Sequence, residues 1–213
     1  MPDPTSKASI DFERCRIEDG KGWEKLSVER ILDHRYIQIE EVRYQTPARQ
    51  TPVDWTVARR KSAIAVAPML PDGRFLLIQQ ERYPVQRALW EFPAGQIDDI
   101  HNRENTDVIL NTVHSELDEE TGHQLAPDGE LIPLGYFFSS QGYSDEHVYL
   151  FLAKNVVPTG KGPSPDAGES ILGCRALTAS ELSDEIACNH IVDANTLSLF
   201  ARLCAKGHID PSD

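Results

Sequence analysis

The chain has 213 residues, of which 40% are hydrophobic and 26% charged, and its formal net charge is -13. That composition suits a globular protein with one good-sized core, and the acidity argues against a nucleic-acid backbone or an anionic membrane as partner, because both reward basic surfaces. No apolar run approaches the roughly 20 residues that span a bilayer, the start MPDPTSKASIDFER lacks the apolar stretch of a secretory signal, and Cys15, Cys174, Cys188 and Cys204 lie far apart with no Cys-x-x-Cys, so the expectation is a cytoplasmic protein with reduced thiols.

Residues 1–20 are small, polar and proline-containing, the composition of a poorly ordered N-terminus. Residues 21–58 read as short strands: Ile37 and Ile39, then Val42 and Tyr44, alternate with polar residues, and Trp55 and Val57 follow a turn. So small a sheet has too little apolar surface to stand alone and must pack on the rest or on a second copy.

The main domain spans 59–213. SAIAVAPML and RFLLIQQ flank Pro71-Asp72-Gly73, a hairpin signal. LWEFPAG, residues 89–95, reads as a strand running into a tight loop, with Trp90 and Phe92 in the core. Asn105 or Thr106 can cap the next helix and Gly122 can end it in the left-handed conformation. LIPLGYFF and VYLFLA read as further strands. Composition makes 158–168 a mobile loop. TASE at 178–181 is a capping box opening a helix toward Cys188, and Asp193 can cap a last helix whose Leu197, Phe200 and Cys204 share one stripe. Strands and helices interleave without a regular β-α-β rhythm, which predicts an α/β fold with a mixed sheet covered by helices.

HSELDEETGH, residues 114–123, crowds Glu116, Asp118, Glu119 and Glu120 into five positions. At 100° per residue, Glu116, Glu119 and Glu120 share an arc of about 100°, while Leu110, Val113 and Leu117 form a neighbouring apolar arc. The carboxylates therefore lie along the margin between core and solvent. Such a cluster is either a solvated acidic face or a cradle for a hard divalent cation that borrows further oxygens from a phosphate.

EFPAGQID followed by a helix carrying SELDEETG resembles the Nudix box. Gly95 matches its first Gly, and Glu116, Leu117, Glu119, Glu120 and Gly122 match its second half. From about Trp23 to Leu203, the segments RRKSAIAVAPML, LLIQQERYP, LWEFPAG, SSQGYSDEHVYLFLA, GESI and HIVDANTLSLF resemble, in order, the ADP-ribose and ADP-sugar pyrophosphatase branch of that family. The resemblance implies an α/β/α sandwich around a mixed sheet, with a small N-terminal antiparallel β subdomain through which the branch forms homodimers. It implies Mg²⁺- or Mn²⁺-dependent hydrolysis of a small-molecule nucleoside diphosphate sugar, ADP-ribose foremost. It implies metal ligation by Glu116 and Glu120, with Glu119 completing the cluster and Ala94 lending its carbonyl. Arg60 and Arg82 would hold phosphate or ribose oxygens, with Glu91 in the same substrate-binding set. Glu169 of GESI would assist the attacking water; Glu146, or Glu119 itself, is the other candidate.

The chain departs from the family pattern at several points. Ser115 stands where the family has the Arg that braces loop and helix, and the loop 96–114 is six residues longer than the family's. The first box Glu has no clear counterpart: His101 or Asp107 falls there. His123 replaces an apolar residue, and Gln141 replaces the proline that marks ADP-ribose specificity. The first three fall on the scaffold of the loop and leave the metal carboxylates in place. The rival expectation is a protein that kept the fold and binds a nucleotide sugar with reduced or no turnover.

Overall fold

The computed structural model describes residues 17, 20–97, 105–166 and 168–210. The expectation of a poorly ordered start therefore lies almost wholly outside the described residues, as do Cys15 and His101.

Three antiparallel strands, β1 (Glu24–His34), β2 (Ile37–Gln45) and β3 (Val53–Arg59), form a separate sheet in that order. Val42, Val57 and Ala58 are its buried apolar residues, while every residue of β1 is exposed. Glu40 is also buried, because Arg59 Nε reaches its carboxylate at 2.8 Å while Arg59 Nη1 holds Asp145 at 2.8 Å. The Arg59 hydrogen bond holds Glu40 below the usual carboxylate range. The turn around Gly142 and Tyr143 docks on β3: Trp55 Nε1 donates to Gly142 O at 2.8 Å and Ala58 N–H to Tyr143 O at 2.7 Å.

The main sheet is built from β4 (Ala63–Met69), β5 (Phe75–Arg82), β8 (His123–Phe138), β9 (His147–Pro158) and β10 (Ile171–Leu177), in the order β10-β5-β4-β9-β8. Short β6 (Arg87–Glu91) and β7 (Ala94–Gln96) pair with β5 and β4 respectively. The β4·β9 pairing is parallel and the others are antiparallel, so the sheet is mixed as expected. The turn between β4 and β5 follows the proposed chemistry: Gly73 takes φ 86° and Asp72 binds the Arg74 guanidinium.

Helix α1 (Thr106–Thr121) starts at Asn105, whose side chain accepts from Asp107 N–H, and ends at Gly122 with φ 68°. Ile109, Val113 and Leu117 bury one stripe against Ile64 and Val66 of β4 and Phe151 of β9. Each such side chain contributes about 1.5–3 kcal/mol by leaving water. The opposite face of β4, Ala65 and Ala67, meets Leu182 of α2 (Ala179–Ala187) and Leu199 and Leu203 of α3 (Ala194–Ala205). The result is an α/β/α sandwich. The capping box of α2 and the Asp193 cap of α3 are both formed.

Three expectations need correction. The buried stripe of α3 is Thr196, Leu199 and Leu203, with Leu197 exposed and Phe200 half-buried. The sheet lies about 100° round the helix from where the three named residues centre, and a buried threonine inside that stripe hid it. On α1, Ile109 rather than Leu110 completes the buried arc. The segment after β9 is irregular, as its composition demands, yet it is tied to α1: Thr159 N–H donates to Gly122 O at 2.8 Å and Ser164 N–H to Glu119 O at 2.7 Å. Gly122 is required there, since a Cβ would press on the Gly162 backbone.

Candidate active site

Strand β6 delivers Glu91 and Phe92 to the foot of the sheet, and the chain then turns through Pro93 into β7. Backbone bonds fix this turn: Val66 N–H donates to Pro93 O at 2.9 Å, and Ala94 N–H donates to Glu120 Oε2 at 2.9 Å. Helix α1 packs so closely on Gly95 that a Cβ there would overlap the Glu116 carboxylate. The loop behind α1 returns to the sheet edge, where Glu81 N–H donates to Ser170 O at 2.9 Å and so sets Glu169 beside the helix.

These constraints bring Glu116, Glu120 and Glu169 together, with one carboxylate oxygen from each inside 4.8 Å of the others. Glu120 is fully buried rather than marginal, contrary to the arc expected from helix geometry. Its Oε1 is buried without a hydrogen-bond partner. Burial pushes its carboxyl up to about 9, with Glu116, Glu169 and Glu91 adding repulsion and the Ala94 bond opposing. A buried carboxylate so placed is expensive unless a cation joins it. Three carboxylates with one orphaned buried oxygen form a hard, oxygen-only donor set that fits Mg²⁺ or Mn²⁺. Glu119 stands beside this trio and not within it; burial, Asp166, Glu169 and Asp118 raise its carboxyl.

The remaining candidates are held in ion pairs. Glu91 is buried and grips Arg82, whose Nη2 lies 2.7 Å from Oε1 in a pair too bent for a hydrogen bond, while Nε donates to Oε2 at 3.2 Å. Burial still wins over that pairing and pushes Glu91 up to about 7, with Asp193 adding repulsion. Glu146 accepts from Ser139 Oγ at 2.6 Å and pairs with Arg60 Nε at 3.2 Å, and is not a member of the trio. Gln141 is exposed on the turn that docks against β3. Ser115 is exposed on α1. Trp90 is half-buried beneath the Arg175 guanidinium, 4.3 Å from its ring centroid, and Phe92 is core.

A cavity of about 550 Å³ opens between the N-terminal sheet and the main sheet, with Lys25, Arg35, Tyr36, Arg59, Arg60 and Lys61 in its wall. It does not contain the carboxylate trio, but Ile97, two residues beyond Gly95, belongs to its lining. Asp33, Glu40 and Asp145 also line it, the last two paired with Arg59, so the wall keeps a small excess of positive charge in a chain of net charge -13.

Two features of this region carry no local sequence signal. The Glu40–Arg59–Asp145 network joins residues distant in the chain and carries no local pattern. Asp193-x-x-Thr196 reads as a helix cap and nothing more, although Thr196 also accepts from Phe92 N–H across 104 residues.

Residues 58–200 match the NUDIX domain model. Over 100 residues, 47% of the chain, it is 30% identical to the ADP-ribose pyrophosphatase of Bacillus subtilis (strain 168), and over 105 residues, 49% of the chain, it is 30% identical to the ADP-ribose pyrophosphatase of Mycobacterium tuberculosis (strain ATCC 25618 / H37Rv). These matches span only 49% and 47% of those relatives. A longer match, 27% identical over 180 residues, covers 84% of the chain and 91% of the methanol dehydrogenase activator of Bacillus methanolicus. A crystal structure of an ADP compounds hydrolase superposes with a TM-score of 0.69 at 16% identity, covering 91% of this chain and all of that one, a likeness of fold. No helix among the described residues is long and apolar enough to cross a membrane. The chain belongs to the Nudix domain family.

Proposed function

We propose that this protein hydrolyses the pyrophosphate bond of a nucleoside diphosphate sugar, with ADP-ribose as the leading substrate and AMP and ribose 5-phosphate as products. The observation that carries this reading is the approach of Glu116, Glu120 and Glu169 to within 4.8 Å of one another around an orphaned buried oxygen. Mg²⁺ or Mn²⁺ bound there supplies charge neutralisation at the phosphoryl oxygens. Glu116 and Glu120 hold the cation, with Ala94 beside them, and Glu119 tunes the trio's charge from its margin. Glu169, on the loop, orients the attacking water and takes its proton. Arg82 reaches the substrate's phosphate or ribose oxygens with Glu91 fixing its fork. The cationic cavity beside Arg60 draws in the anionic substrate that the rest of the surface repels. Glu146 restrains Arg60 rather than activating water.

The test is metal-dependent release of nucleoside monophosphate from a panel of nucleotide sugars, in the unaltered protein and in Glu120→Gln. Turnover of ADP-ribose that collapses in the variant is the expected result; equal turnover in both would remove the metal assignment.

The exposed apolar side chains of β1 and its surroundings, including Ile31 at 60% and Trp55 at 52% exposure, support a homodimer closed through the N-terminal sheet. A second reading is a regulatory protein that binds a nucleotide sugar with little turnover. It is favoured by the match over 84% of the chain to a protein named as an enzyme activator, and by Ser115 in place of the bracing arginine. Calorimetric binding of ADP-ribose with no product after prolonged incubation would favour it over hydrolysis.

A further inference from the structure

We propose that Thr196, on the last helix, is a positioning residue for the metal-binding turn, taking over the bracing that Ser115 does not supply. The inference rests on the metal-site reading above. Thr196 is fully buried, and its hydroxyl has two bonds. It donates to Asp193 Oδ2 at 2.9 Å and accepts from Phe92 N–H at 2.8 Å. The donor side fixes the acceptor side: with its proton given to a carboxylate, the hydroxyl keeps a lone pair aimed at Phe92. The helix needs neither bond, because its cap is already made by Asp193 Oδ2 accepting from Thr196 N–H at 2.8 Å. The hydroxyl therefore serves the turn.

That turn is Phe92-Pro93-Ala94-Gly95, and its first three residues are held by three different elements. Phe92 N–H goes to α3, Pro93 O to β4, Ala94 N–H to Glu120 on α1. Releasing the first tether leaves the other two bonds, yet it frees the chain two residues before the atom that orients Glu120. Asp193, the acceptor of the Thr196 hydroxyl, also adds its charge to Arg82 and Glu91, the substrate-side ion pair. Ser115, exposed on the outer side of α1, reaches none of these contacts.

The experiment compares Thr196→Val, Thr196→Ser and Leu203→Ala for Mn²⁺ affinity, read by paramagnetic titration without substrate, and for kcat and KM with ADP-ribose. Thr196→Val keeps the shape and removes the hydroxyl; it should weaken Mn²⁺ binding by about 10- to 100-fold, as loss of a supporting hydrogen bond around a metal site does, and lower kcat more than it raises KM. Thr196→Ser should stay within about threefold of the unaltered protein, because it restores the same two bonds. Leu203→Ala loosens the same helix two turns away and should leave Mn²⁺ affinity unchanged in the folded protein. A folded Thr196→Val with normal Mn²⁺ affinity overturns the proposal, as does an equal loss in Leu203→Ala. If Thr196→Val does not fold, Thr196→Ala, which leaves room for a water at the Phe92 amide, is read in its place; failure of both to fold also overturns it, since the bond would then serve the whole fold. If the unaltered protein binds no Mn²⁺, or Glu120→Gln binds it equally, the metal-site reading falls instead.

Discussion

Gly95 and Glu116 compete for one volume: a methyl group on Gly95 would occupy the space of the Glu116 carboxylate. Gly95 is not in the left-handed region, so its requirement is space and not backbone freedom. Gly95→Ala forces Glu116 to swing aside, which a side chain of that length does cheaply. Thermal stability should therefore change by less than about 1 kcal/mol equivalent. Mn²⁺ affinity, measured by titration calorimetry, should fall by about tenfold or more. Retained affinity would show that Glu116 is not a ligand.

Glu120→Gln keeps an acceptor for Ala94 N–H and removes a carboxyl that must take up a proton to be buried in the metal-free fold. The metal-free variant should be more stable than the unaltered protein at pH 8, by about 1–3 kcal/mol, the scale of an uncompensated buried polar group. Denaturant unfolding in a chelator measures this. A stability loss on Glu120→Gln under those conditions would show that the carboxylate is already compensated in the metal-free state.

The pH dependence is dominated by the two carboxyls raised furthest, Glu120 at about 9 and Glu91 at about 7, against an ordinary value of 4.5. The unfolded chain releases these protons near 4.5 while the folded chain keeps them, so between those values folding takes up protons and stability falls as pH rises. Metal-free protein should lose thermal stability progressively from about pH 5 to about pH 9, with the Glu91 share complete near pH 7. Saturating Mg²⁺ holds Glu120 ionised and should flatten the upper part of that decline. Scanning calorimetry with and without Mg²⁺ checks it; identical profiles would sever Glu120 from the metal.

Glu169 and Glu146 are separated by their partners. Glu169→Gln should lower kcat by about 10²- to 10⁴-fold, the usual worth of a general base. Glu146→Gln releases Arg60 from its 3.2 Å pair and should act on KM, with kcat within about tenfold. The opposite ranking in steady-state kinetics with ADP-ribose would transfer the water-activating role to Glu146.

Placing a charge on the uncovered N-terminal sheet tests the dimer. Ile31→Lys should shift the molecule toward monomer in light scattering at micromolar concentration, without loss of secondary structure. An unaltered protein that is already monomeric there would remove the dimer proposal.

Caps, turns and local crowding of charge are legible in the residues alone. The helix start at Asn105 or Thr106, the left-handed end at Gly122, the capping box at Thr178 and the Pro71-Asp72-Gly73 turn are each written within a few residues, because caps and turns are satisfied by near neighbours; the structure assigns the first cap to Asn105. The crowding of Glu116 and Glu120 was visible for the same reason. Packing selects the third carboxylate that joins them: helix periodicity offered Glu119, three residues on, whereas the loop between β9 and β10 supplies Glu169. Only the tertiary structure buried Glu120, since a helical arc tells which way a side chain points and not how deep the sheet, the turn at Ala94 and the loop leave it. The same holds for Thr196, whose second bond runs to a backbone amide 104 residues away. Depth and long-range partners are set by how the layers close over one another, and no window of neighbouring residues contains that information.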